Sequence, residues 1–232
     1  MKKILIIGII ILSIFLIYLT MIDKKVYYLS LGDQISLGMT KEGYYEKSYP
    51  EYIKDYLDKQ NKLEKIINEY ETQGYRITDI INDINNNKEI EETGKTIKNA
   101  LIKADLVTIS IGTNDILSKI EEIENFTKIN YNKLYKNTNE IISDLDKLLK
   151  QTREYCKEDI ILIGININSK DEKLTQIINY ANEKFKETAE KYKITYIDIL
   201  EEKDEYKIYP TKEEYKQISE QIINILDSNL LK

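Results

Sequence analysis

Three short segments hold the side chains of this 232-residue chain whose types and spacing bear on chemistry. Gly32-Asp33-Gln34 follows an apolar run at residues 26–31, and Gly112-Thr113-Asn114-Asp115 follows another at 105–111. Ile208-Tyr209-Pro210-Thr211 precedes the last stretch of helical apolar periodicity. The Asn114 carboxamide can donate to a carbonyl, and Gln34 is placed to line the same pocket. A carboxamide has no ionisable hydrogen near neutral pH and is a poor nucleophile. A tyrosine, with a pKa of about 10, is mostly protonated at pH 7 and is no ready base. Ser36 offers a hydroxyl nearby, but with no base beside it, it reads as the first-turn hydroxyl of a following helix. The chain has no histidine, which removes the commonest general base and the commonest metal ligand together. Its one cysteine, Cys156, excludes an internal disulfide and a thiolate cluster and reads as a small buried apolar residue. No metal site and no cofactor are expected.

Alternating strands and helices must position these groups. Apolar runs at 26–31 (VYYLSL), 65–70, 105–111 (DLVTISI), 159–165 (DIILIGI) and 194–199 (ITYIDI) read as five strands. Helical periodicity marks 48–63, the Ile77, Ile80, Ile81 and Ile84 face, 96–104, 131–156, 173–192 and 211–226. Strands separated by crossover helices form a parallel sheet covered on both faces. Ligands in such sheets sit at the carboxyl ends of the strands. That places Gly32, Asp33, Gln34, Gly74 and the 112–115 turn along one rim.

These blocks resemble the SGNH (GDSL-type) hydrolase family. Its pattern is a GDS turn after the first strand, a glycine after the second, a GxND turn after the third, and DxxHP before the last helix. Residues 182–199, a helix and then a strand ending in Asp198, also follow it, and the resemblance spans the chain from residue 25 onward. It implies a three-layer α/β/α sandwich with a five-stranded parallel sheet of flavodoxin-like order. It also implies acyl-ester hydrolysis by a serine, a histidine and an aspartate. The oxyanion would be held by the backbone N–H of the nucleophile and of Gly74 and by the side chain of Asn114. In this chain the serine position is Gln34, the histidine position Tyr209 and the aspartate position Tyr206. The oxyanion half is kept and the triad is substituted. Asp204 and Glu205 lie near enough to stand in for the aspartate, but nothing replaces the histidine.

The same residues carry plainer readings. Asn114 and Asp115 cap a helix, bind a carbonyl, or do both. Gly74 meets a backbone requirement, and Gly32, Asp33, Gly112 and Asp115 structure the turns. Tyr206 and Tyr209 fill the space a histidine left.

The N-terminus is a separate object. Lys2 and Lys3 precede an apolar run at residues 4–22, about 28 Å long as a helix and close to the thickness of a hydrocarbon core. No small-residue cleavage site follows, so residues 1–24 read as an uncleaved single-pass anchor and 25–232 as the domain. Lysines flank both ends, and the default places the domain outside the cytoplasm. The net charge of −6 argues against a nucleic-acid partner. The expectation is therefore a membrane-anchored esterase relative without hydrolytic activity. It would bind an acyl, acetyl or sugar ligand or a cell-envelope protein. The alternative is an active acyl-ester hydrolase with unusual machinery.

Overall fold

Residues 26–32 (VYYLSLG) are buried along their whole length, as a central parallel strand between two helical layers must be. The structure is a computed structural model describing residues 25–91, 93–121, 130–199 and 207–229. Among them the sheet contains β1 (Val26–Gly32), β2 (Leu63–Glu71), β5 (Leu106–Ser110), β6 (Asp159–Ile163) and β7 (Thr195–Ile197). The two-residue strands β3 (Glu89–Ile90) and β4 (Lys95–Thr96) form a separate hairpin. All sheet pairings are parallel, in the order β2-β1-β5-β6-β7. The chain first winds outward from β1 to β2, then returns through β5 toward β7. The crevice at the β1/β5 reversal is where this topology leaves room for a ligand.

Seven helices are described: α1 (Tyr49–Lys59), α2 (Ile77–Asn85), α3 (Ile97–Lys103), α4 (Thr113–Glu121), α5 (Tyr131–Tyr155), α6 (Glu172–Lys191) and α7 (Lys212–Asn229). Strand alternation sorts the core into two layers. Leu29, Leu31, Val107, Ile109, Ile160 and Leu162 face α2 to α6. Tyr28, Leu106, Ile161 and Ile163 face α1 and α7 with Ile53, Leu57, Tyr215 and Ile222. Each such fully buried aliphatic side chain contributes about 1.5–3 kcal/mol.

Local chemistry sets the helix starts. The Glu51 carboxylate accepts Ser48 N–H at 2.8 Å before α1, and Asp171 Oδ1 accepts Leu174 N–H at 2.9 Å at α6. Thr211 and Glu214 exchange the same kind of bonds at α7.

The five-stranded parallel sandwich read from the sequence is present, with strand and helix ends shifted by a few residues. Three details differ. The segment after Gln34 is a tight turn over 34–38 and not a helix, because Gly38 N–H closes on Ile35 O and Met39 N–H on Gln34 O. Residues 113–121 form a helix that apolar periodicity does not mark. The β3–β4 hairpin is too short to show alternation. No described helix is long and apolar enough to cross a membrane, and the anchor expected at 1–24 lies outside the described residues.

Candidate functional site

Two glycines let the rim close. A Cβ on Gly32 would sit 2.6 Å from Ser110 O. One on Gly112, whose φ is +109°, would meet the Phe185 ring at 2.9 Å. The bare backbone of Gly32 lets the β1 turn lie against the end of β5, and that of Gly112 leaves room for the Phe185 ring of α6.

The β1 turn is held from within. Asp33 is fully buried; its Oδ1 accepts Ile35 N–H at 2.9 Å, and its carbonyl accepts Ser36 Oγ–H at 2.7 Å. The hydroxyl of Ser36 is thus a buried structural donor. From α7, Tyr215 OH donates to Met39 O at 2.6 Å and fixes the far end of the turn. Asp115, in the first turn of α4, reaches across to a second helix. Its Oδ2 accepts Ile77 N–H at 3.2 Å and so caps α2, tying the Gly74–Tyr75 loop to β5. Burial pushes the Asp33 carboxyl up to about 7, opposed by Ile35 N–H and helped by the charge of Asp115. Burial likewise pushes Asp115 up to about 6, opposed by Ile77 N–H and Arg76.

The structure brings Gln34, Gly74, Asn114 and Tyr209 together. Gln34 Nε2 donates to Asn114 Oδ1 at 2.7 Å, and Asn114 Nδ2 donates back to Gln34 Oε1 at 2.9 Å. Gly74 N–H also donates to Gln34 Oε1, at 3.0 Å. Gln34 Nε2 reaches the Tyr209 hydroxyl at 3.3 Å. Asn114 Nδ2 is further oriented by Tyr75 O at 2.8 Å and Asp33 Oδ2 at 3.4 Å. Gln34 is 3% exposed. The two donors expected to cradle a ligand carbonyl are therefore engaged by a carbonyl of the chain itself. Gly74 has φ +81°, and a Cβ placed there would meet nothing within 4 Å, so its glycine answers to backbone conformation and not to space.

Tyr209 is half-buried and packs on the α1/α7 layer. Tyr206 lies outside the described residues. Sequence reasoning missed the Tyr75 carbonyl, which carries no side-chain signal. It also missed the buried Lys207–Glu214 ion pair, which fixes the segment leading to Tyr209. A further polar group stands opposite Gly32 where β2 pairs with β1. Glu71 ends β2 with Oε1 unpartnered, and burial pushes its carboxyl up to about 8. Among the described residues no group of three or more acidic, histidine or cysteine side chains is placed to hold a metal ion.

Solved structures share this fold. The lipase Lip_vut3 from a goat rumen metagenome is 20% identical with a TM-score of 0.67, covering 85% of this chain and 95% of its own. Axe2, an acetylxylan esterase from Geobacillus stearothermophilus, is 18% identical with a TM-score of 0.62, covering 88% and 94%. LAE5, an alpha/beta hydrolase enzyme from the metagenome of Lake Arreo in Spain, is 15% identical with a TM-score of 0.60, covering 87% and 94%. No curated protein matches the chain in sequence. The model of the GDSL-like lipase/acylhydrolase family matches residues 30–216, a span running from β1 into α7, and the chain belongs to that family.

Proposed function

We propose that this protein is a non-hydrolytic member of its family, with an acyl-binding site occupied by its own Gln34. The observation that carries the reading is the Gln34 carbonyl lying between Gly74 N–H and Asn114 Nδ2. A serine that has taken up an acetyl group runs Cβ–Oγ–C(=O)–CH3. A glutamine side chain runs Cβ–Cγ–Cδ(=O)–NH2, the same length with the carbonyl at the same place. Gln34 thus copies the shape of an acetyl-enzyme, with a carbon–carbon Cγ–Cδ bond that water does not cleave in the place of the ester's scissile Oγ–C bond. The absence of histidine from the whole chain supports the same reading, since no imidazole is available to activate either a hydroxyl or a water.

The role that remains for such a site is binding. The family's acyl chemistry and the neutral polar lining point to an acyl-type ligand that competes with Gln34. The apolar run at residues 4–22 supports attachment to a membrane, with the domain on its outer side as the default. A fluorophosphonate probe tests silence directly. The full-length chain is expected to remain unlabelled at concentrations that label an active family member. Covalent labelling of any hydroxyl in the domain would end this reading.

A further inference from the structure

The Gln34 carboxamide is matched at both ends of its polar group. Its oxygen receives Gly74 N–H at 3.0 Å and Asn114 Nδ2 at 2.9 Å, while its nitrogen donates to Asn114 Oδ1 at 2.7 Å. Backbone groups of unambiguous polarity fix which end is which. Gly74 N–H can only donate, so an oxygen must face it. Asn114 is oriented in turn because Tyr75 O, 2.8 Å away, can only accept from Nδ2.

This pattern has a chemical consequence. The two bonds between Gln34 and Asn114 close a ring, which requires an N–H on the same side of the C–N bond as the carbonyl oxygen. A primary carboxamide or a lactam has such an N–H. A trans secondary amide carries its N–H on the opposite side, and an ester has none. An ester in this position would set an oxygen lone pair against Asn114 Oδ1.

We propose that the cleft is a receptor for a cis-amide group, a primary carboxamide or lactam on a ligand, and that Gln34 is a tethered occupant which such a ligand displaces. The proposal rests on the non-hydrolytic reading and names its ligand class. The uncharged groups that meet the Gln34 carboxamide, the Gly74 N–H, the Asn114 amide and the Tyr209 hydroxyl, fit it. The Tyr209 hydroxyl, 3.3 Å from Gln34 Nε2, accepts the second N–H of a primary amide. The nearby cation of Lys207 is already paired with Glu214, so it is not free to select for an anion.

Removing the tether exposes the preference. Gln34→Ala deletes, in outline, one acetamide. The full-length variant is titrated with acetamide, N-methylacetamide and methyl acetate, followed by NMR chemical shifts. Acetamide is expected to bind at least about tenfold more tightly than the other two, since each leaves the partly buried Asn114 Oδ1 unpaired. The unaltered chain is expected to bind acetamide at least about tenfold more weakly than the variant, because the tethered amide competes at high effective concentration. Equal binding of methyl acetate and acetamide overturns the proposal, as does absence of acetamide binding to a folded variant.

Should Gln34→Ala fail to fold, Gln34→Glu gives an independent reading. Its protonated acid can donate to Asn114 Oδ1, whereas its carboxylate cannot. Its Tm deficit against the unaltered chain is expected to be small near pH 4 and to widen toward pH 8. A deficit that does not change with pH, or no deficit at all, counts against the proposal. Neither test depends on catalysis: esterase activity of the unaltered chain would sink the non-hydrolytic reading, while the amide-to-ester ratio would still report the selectivity.

Discussion

Gln34 and Asn114 face each other as a reciprocal amide pair, Nε2 to Oδ1 at 2.7 Å and Nδ2 to Oε1 at 2.9 Å. Gln34 lies in the turn after β1 and Asn114 in the first turn of α4, after the neighbouring parallel strand β5, and so they join the two sides of the crevice at the β1/β5 reversal. The pair is a structural element as well as the content of the site.

Asn114→Ala removes the partner of both ends of the Gln34 amide and of Tyr75 O. Buried polar groups left unpaired cost about 1–3 kcal/mol each. The expected loss is about 2–4 kcal/mol of unfolding free energy, read by urea denaturation with an unchanged m-value. A loss below about 0.5 kcal/mol would mean that the pair is not formed in solution.

The glycines of the rim separate crowding from backbone strain. Gly32→Ala sets a methyl 2.6 Å from the backbone oxygen of Ser110, which cannot rotate away. It is expected to cost about 2–3 kcal/mol. Gly74→Ala meets no neighbour within 4 Å and is strained only by its φ of +81°. It is expected to cost about 1 kcal/mol. Thermal melts of the two variants should rank in that order.

Stability should fall as pH rises through neutrality. Asp33, held up near 7, and Asp115, near 6, keep protons in the fold at pH values where the unfolded chain has released them. Their stabilising contribution is complete below about pH 4 and is lost as pH rises through 6 and 7. Asp33→Asn keeps an acceptor for Ile35 N–H and removes one titration. Its stability relative to the unaltered chain is expected to improve between pH 5 and pH 8 by on the order of 1–2 kcal/mol. Melting curves across that range check the sign.

Much of the fold is legible in the sequence because buried parallel strands are continuous apolar runs. Residues 105–111 announce β5, observed as Leu106–Ser110, and 159–165 announce β6. The rim residues Gln34, Gly74 and Asn114 are legible through their positions after strands. What the sequence does not show is that Gln34 fills the cradle, because reach and orientation of a side chain depend on how two distant turns meet. Helix α4 is hidden since its polar first turn, Thr113-Asn114-Asp115, reads as loop. The turn after Gln34 reads as a helix start because Ser36 resembles a first-turn hydroxyl, yet it bonds back to Asp33 O.

Restoring the triad tests whether the scaffold itself is still competent. Gln34→Ser with Tyr209→His and Tyr206→Asp frees Gly74 N–H and Asn114 Nδ2 and supplies an attacker with a base. The triple variant is expected to hydrolyse p-nitrophenyl acetate measurably above background, and Gln34→Ser alone to fall well short of it, since triad members act as a unit. A folded triple variant with no activity would mean that the cleft no longer admits an ester.

The most direct measurement is hydrolysis of short p-nitrophenyl esters by the unaltered full-length chain beside Asn114→Ala. A site closed by Gln34 and lacking an imidazole predicts that both proteins give the buffer rate. A rate above buffer that disappears on Asn114→Ala would show that the oxyanion donors serve a substrate, and the occupied-site reading would be wrong.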